Sequence, residues 1–146
     1  PINARSETAH EKPMFRNAWK QRRGVIPAEG WYEWMNTPQG KVPWYHYHMD
    51  ESICYMAVLW ESWNHAGSAL ESFSILTTEA NEDCMEIHQR MPVLIEAHEI
   101  QAWLSGSLVL TPTSEGRVDR HPVSQNVNNA TNEGRELVKP IPRLFD

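Results

Sequence analysis

Three aromatic and branched runs, GVIPAEGWYEWM (24–35), VPWYHYHM (42–49) and SICYMAVLW (52–60), constrain this chain more than any other feature. Rings and β-branched side chains fit a pleated, half-buried surface, and Gly, Pro and Asn punctuate the gaps, so each run predicts extended chain. The segment NTPQGK between the first two predicts a hairpin-like loop. SFSILTT (72–78) is a fourth strand, set off by the polar stretch 64–72. RMPVLI (90–95) reads as extended, because Met91 precedes a proline and is biased away from helix.

Helices are short and few. Phe15 and Trp19 stand four apart in MFRNAWKQR (14–22), the spacing of one helical face. Thr78 before EANEDCMEIH (79–88) predicts a short capped helix, EAHEIQAWL (96–104) predicts another, and residues 112–135 read as loop. Strands dominate with short helices between them, which predicts a single α+β domain over residues 1–146, built on a mainly antiparallel, barrel-like sheet. No apolar run approaches the roughly 18 residues that span a bilayer.

The 146 residues carry a net charge of -6, unevenly placed. Residues 1–23 hold Arg5, Lys12, Arg16, Lys20, Arg22 and Arg23 against only Glu7 and Glu11. The remainder is strongly acidic, a distribution that permits a basic face on an acidic body, or merely a solvated helix face. Two cysteines, Cys54 and Cys84, are too few for a disulfide framework and fit a reducing, intracellular setting.

Chemistry concentrates in two places. Alternation along an extended GWYEW puts Trp31, Glu33 and Met35 on one face and Tyr32 and Trp34 on the other. Large apolar neighbours would strip water from the Glu33 carboxylate and raise its pKa, the physics of a general acid; the alternative is an edge-strand glutamate facing water. In IHQRMP, His88 at a helix end can pass protons near neutral pH or simply cap the helix, and Arg90 can fork onto a phosphate. Cys84 and His88, four apart, offer a thiolate–imidazole pair if the segment is helical, against a buried structural cysteine. His46 and His48 share a strand face, but two ligands are too few for a metal site, and packed histidines account for them. No GxSxG, P-loop or dinucleotide glycine pattern is present, and no metal or cofactor is expected.

INARSET (2–8), GVIPAEGWYEW (24–34), SILTTEAN with IHQRMPVL (74–94) and HPVSQNVNNATNEG (121–134) together resemble, in order, the motifs of the SRAP domain, the SOS-response-associated peptidase family. The resemblance implies an SRAP fold and a monomeric, intracellular, DNA-associated protein that binds single-stranded DNA and links covalently to abasic sites. The nucleophile it implies is an N-terminal cysteine, freed by autoproteolytic loss of the initiator methionine, that closes a thiazolidine on the sugar aldehyde. By motif, Asn3 positions cysteine and sugar, Glu33 and His88 move protons, and Arg5 and Arg90 hold flanking phosphates. No such cysteine is among these residues, Pro1 brings no thiol, and the domain reads as N-terminally incomplete. Two other readings stay open: a cysteine hydrolase using Cys84 and His88, and a DNA-binding module without chemistry.

Overall fold

The computed structural model describes residues 2–142; the reading of Pro1 lies outside the described residues. In chain order the strands are β1 (Asn3–Arg5), β2 (Arg23–Ala28), β3 (Trp31–Thr37), β4 (Gly40–His48), β5 (Cys54–His65), β6 (Ser68–Glu79), β7 (Arg90–Pro92), β8 (Leu94–Ile95) and β9 (Val118–Pro122). Two short helices, α1 (Arg16–Gln21) and α2 (Ile100–Ser105), complete the α+β pattern with three 3-10 turns.

The strands form two sheets rather than the expected barrel-like one, and no closed barrel forms among the described residues. In the first sheet the order is β1-β6-β5-β2, with β7 also on β6 and β8 also on β5. All its pairings are antiparallel except β1 on β6, which is parallel. The second sheet is β3-β4-β9, wholly antiparallel. The run 24–35 is therefore two strands in different sheets, parted at Glu29 and Gly30. Gly30 is required there: a Cβ would fall 2.2 Å from the His46 carbonyl oxygen and 2.6 Å from the Tyr45 ring.

Side-chain alternation on the first sheet builds two cores. Ala57 and Leu59 of β5, Leu76 of β6 and Ile95 of β8 join Val93, Ala18 of α1 and Trp103 of α2 in one cluster. Cys54 and Met56, of opposite parity on β5, pack with Met91 of β7 and with Trp31 and Val118 of the second sheet in the other. Between α1 and α2, the Arg23 guanidinium lies 4.6 Å from the Trp19 ring and 4.5 Å from that of Trp103. Arg22 pairs with Glu61 at 2.9 Å. Two of the six basic residues of the N-terminal segment are thus committed to packing and pairing, and do not form a free basic face.

Three further expectations change. The polar stretch 64–72 is the outer half of the β5–β6 hairpin, which turns at Ala66–Gly67. Backbone pairing continues along this hairpin past the core. EANEDCMEIH forms no helix: Thr78 pairs with Met91 inside the sheet, and residues 81–88 are hydrogen-bonded turns, Cys84 N to Asn81 O at 3.1 Å and His88 N to Cys84 O at 3.1 Å. The stretch 112–135 supplies β9, which closes the second sheet. The NTPQGK hairpin forms as expected, with Thr37 opposite Gly40.

Candidate active site

β3 is an edge strand of the second sheet, and alternation turns Trp31 and Glu33 toward the first sheet. Trp31 is buried and stacks on His46, its partner in register, with ring centroids 5.1 Å apart. That packing seats the next inward side chain, Glu33, against protein rather than bulk water; its side chain keeps 26% exposure. Burial raises the Glu33 pKa, and the facing charge of His88 partly opposes the rise.

His88 reaches the same place from the β6–β7 connection. Ala80 N donates to Gln89 O at 2.9 Å, closing that loop, while Asn81 ties it by accepting from Cys84 N at 3.1 Å and donating to Thr113 O at 3.2 Å. The loop presents His88 Nδ1 3.1 Å from Glu33 Oε2. The same nitrogen lies 3.2 Å from both the backbone N–H and the carbonyl of Arg90. Protonated, Nδ1 donates to the carboxylate or the Arg90 carbonyl; unprotonated, it accepts from the Arg90 N–H. A half-buried carboxyl and an imidazole in contact can move a proton in either direction. His88 thus meets Glu33 from a turn rather than from the expected helix end.

Asn3, on the parallel strand β1 opposite Ile75, joins this pair. A cavity of about 160 Å³ between the sheets is lined by Asn3, Trp31, Glu33, Thr77, His88 and Arg90, among others. Four of the five residues named from motifs, drawn from three distant segments, meet on one cavity. Arg90 forks onto Glu7, Nη1 to Oε1 at 3.0 Å and Nη2 to Oε2 at 2.9 Å, and Nη2 also donates to Thr77 O and Oγ1 at 3.0 and 3.1 Å. That hydrogen bonding holds the Glu7 carboxyl below its ordinary range. Arg5 does not line the cavity; its Nε lies 3.9 Å from Glu7 Oε2 and its side chain is 65% exposed.

A second cavity, about 410 Å³, opens beyond the pair and is lined by Glu33, Trp34, Asn36, Lys41 and His88. Trp34 Nε1 donates to Asn128 Oδ1 at 2.7 Å, and Asn36 stands opposite Lys41 across the hairpin. Sequence reasoning named none of Trp34, Asn36 and Lys41 as site residues. Folding NTPQGK as a tight hairpin would have placed Asn36 and Lys41 together. Glu7 was missed because its partner is 83 positions away.

Cys84 is a core residue, 2% exposed, its thiol pushed up to about 12 chiefly by burial. A turn bond from His88 N to Cys84 O keeps the two residues adjacent, but the Cys84 thiol is packed in the core with its pKa raised, which weakens the hydrolase pairing. His46 and His48 are each 1% exposed, and burial drives His46 down to about 4. No cluster of three or more potential metal ligands occurs among the described residues.

Fold and site together place a carboxyl–imidazole pair on a cavity between the two sheets of an α+β fold. The chain belongs to the SOS response associated peptidase (SRAP) family, whose description matches residues 1–130. It is 31% identical to the abasic site processing protein YedK of Escherichia coli, over 96% of this chain and 67% of that protein. It is 34% identical to the abasic site processing protein YoqW of Bacillus subtilis, over 94% and 66%. The chicken abasic site processing protein HMCES is 31% identical, over 95% of this chain and half of its own. A crystal structure of a Bacteroides thetaiotaomicron protein superposes with a TM-score of 0.86 at 30% identity, covering 96% of this chain and 66% of that one. The chain thus spans about two thirds of the length of these bacterial relatives.

Proposed function

We propose that this chain is the body of an abasic-site processing protein that acts on single-stranded DNA and links covalently to the lesion. The observation that carries the reading is the convergence of Asn3, Glu33, His88 and Arg90 on one cavity, with Glu33 and His88 3.1 Å apart. Relatives named as abasic site processing proteins support the substrate. The cavity of about 160 Å³ receives the ring-opened sugar.

In this reading Asn3 orients the sugar. Glu33, its pKa raised by burial, and His88 exchange protons as the ring opens and as an amine adds to the aldehyde, expelling water to leave an imine. A thiol then adds across the C=N bond, forming C–S and N–H bonds and closing a thiazolidine. The amine and thiol come from an N-terminal cysteine that is not among residues 1–146; Cys54 and Cys84 are both buried. Its exposure by autoproteolytic loss of methionine follows the family's name. Arg5 and Arg90 neutralise flanking phosphates, and Lys41 with Trp34 receives the neighbouring nucleotide in the larger cavity. The protein works inside the cell, as a monomer on DNA. No helix among the described residues is long and apolar enough to cross a membrane.

The test is incubation of the full natural protein with single strands that carry one abasic site, or none, followed by denaturing electrophoresis. A heat-stable shifted band with the abasic strand alone is the expected result. Equal bands with both strands, or none with either, would remove the proposal.

A further inference from the structure

The outer face of the second sheet holds a feature that the proton-transfer site does not use. Tyr45 and Tyr47 alternate along β4, so both point outward, and His121 of β9 stands opposite Tyr45 in register. The two tyrosine rings stack with centroids 5.6 Å apart and 22° between planes. The His121 ring lies 5.9 Å from Tyr45 and 5.5 Å from Tyr47, tilted to each. These rings border a cavity of about 360 Å³ whose remaining walls include Glu29 and Glu51. It shares no lining residue with either cavity at Glu33 and His88.

From this geometry we propose a cation site, an aromatic cage that receives an alkylammonium group such as a lysine side chain. Aromatic faces carry the negative lobe of the ring quadrupole and attract ammonium ions within about 6 Å. Two carboxylates at the same opening add charge of the matching sign, and no lysine or arginine lines the cavity among the described residues. The rings are fixed for this purpose: the Tyr47 hydroxyl donates to Asp119 Oδ2 at 3.1 Å, and a His121 ring nitrogen bonds the Val138 carbonyl. The Tyr45 hydroxyl is pushed up to about 12, first by burial and then by the charge of Glu29, so the local field opposes added negative charge.

That field also separates the cage from a nucleobase platform. Stacked rings can hold a base, but a base in a strand brings phosphates, and Glu29 and Glu51 would repel them. The nearby Lys139 is not the occupant, because its Nζ is bonded to Glu136 Oε1 at 2.7 Å. Glu51 holds a left-handed backbone (φ 61°) that a glutamate adopts only when the surroundings impose it. Its amide donates to His48 O at 2.8 Å, which sets the turn that brings the carboxylate to the cavity.

The experiment is a titration of the whole protein with tetramethylammonium and n-butylammonium, followed by the ring resonances of Tyr45, Tyr47 and His121. tert-Butanol and n-butanol serve as neutral probes of similar shape. Saturable shifts with the ammonium ions but not the alcohols are expected. Glu29→Gln and Glu51→Gln, both at exposed residues, should each weaken binding about two- to five-fold. Tyr47→Leu should abolish it while Tyr47→Phe retains it; if the leucine variant fails to fold, the two glutamine variants decide. Binding of butylammonium points to a lysine side chain, and of tetramethylammonium alone to a quaternary ammonium source. Absent saturation, equal binding of the alcohols, or oligothymidylate shifting these resonances when the ammonium ions do not, would overturn the proposal.

Discussion

Replacing Glu7 should tighten binding to single strands. In the free protein the Arg90 guanidinium makes two bonds of 2.9–3.0 Å to Glu7 and two more to Thr77. A phosphate can claim the fork only by displacing the Glu7 carboxylate, which also repels it. Glu7→Gln removes that charge while the Thr77 contacts keep Arg90 in place. A unit charge about 4 Å away is worth about 1 kcal/mol in water, so affinity should rise roughly five-fold. Arg90→Ala should act oppositely, lowering affinity and flattening its salt dependence by about 0.7 for each phosphate that is no longer neutralised. Across a fourfold salt range, from about 50 to about 200 mM, that slope amounts to about 2.5-fold in affinity. Arg5→Ala should weaken binding in the same way, since the Arg5 side chain is 65% exposed and approaches Glu7 no closer than 3.9 Å. Fluorescence anisotropy with a labelled oligonucleotide at several salt concentrations measures all of this. Identical slopes and affinities for wild type and the three variants would show that the Arg90–Glu7 fork is structural and that phosphates lie elsewhere.

Glu33 should be a liability to stability. Its pKa is raised in the folded state, so its favourable contribution is present below the ordinary carboxylate range and lost as pH rises through the folded value. Glu33→Gln should therefore melt above wild type at pH 8, with the gap closing as pH falls toward 4; a lower melting temperature at pH 8 would contradict the burial argument. Cys84, 2% exposed with its thiol pushed up to about 12, should resist alkylation in the native protein and react fully once unfolded. Rapid native labelling at Cys84 would reopen the cysteine-hydrolase reading.

Alternation made half of the site legible in the sequence. A strand through GWYEW had to put Trp31 and Glu33 on one face, and both line the cavity with Asn3 and His88. The switch at Gly30 was not legible, because GVIPAEGWYEWM has continuous strand character and only the approach of the His46 backbone explains the glycine. A helix over 79–88 failed for a tertiary reason: Thr78 and Glu79 pair with Met91 and Arg90, which drew the cap position into the sheet. His88 still meets Glu33, at 3.1 Å, because the turns that replaced the helix carry it there. The outer β5–β6 hairpin was hidden by its polarity, since a strand beyond the core needs only backbone pairing. Arg90 was read as a phosphate fork from its chemistry, while the carboxylate already occupying it lies on a segment that only folding brings near.

A rate cycle on the full natural protein tests the central claim most directly, that Glu33 and His88 work as one proton-transferring pair. Wild type, Glu33→Gln, His88→Ala and the double variant are compared in single-turnover linkage to a strand with one abasic site. Two groups 3.1 Å apart that share a proton should fail together. Each single change should slow linkage roughly 10²-fold or more, and the double change should be little slower than either. Rates that stay at the wild-type level, or single losses that multiply fully in the double variant, would contradict the account.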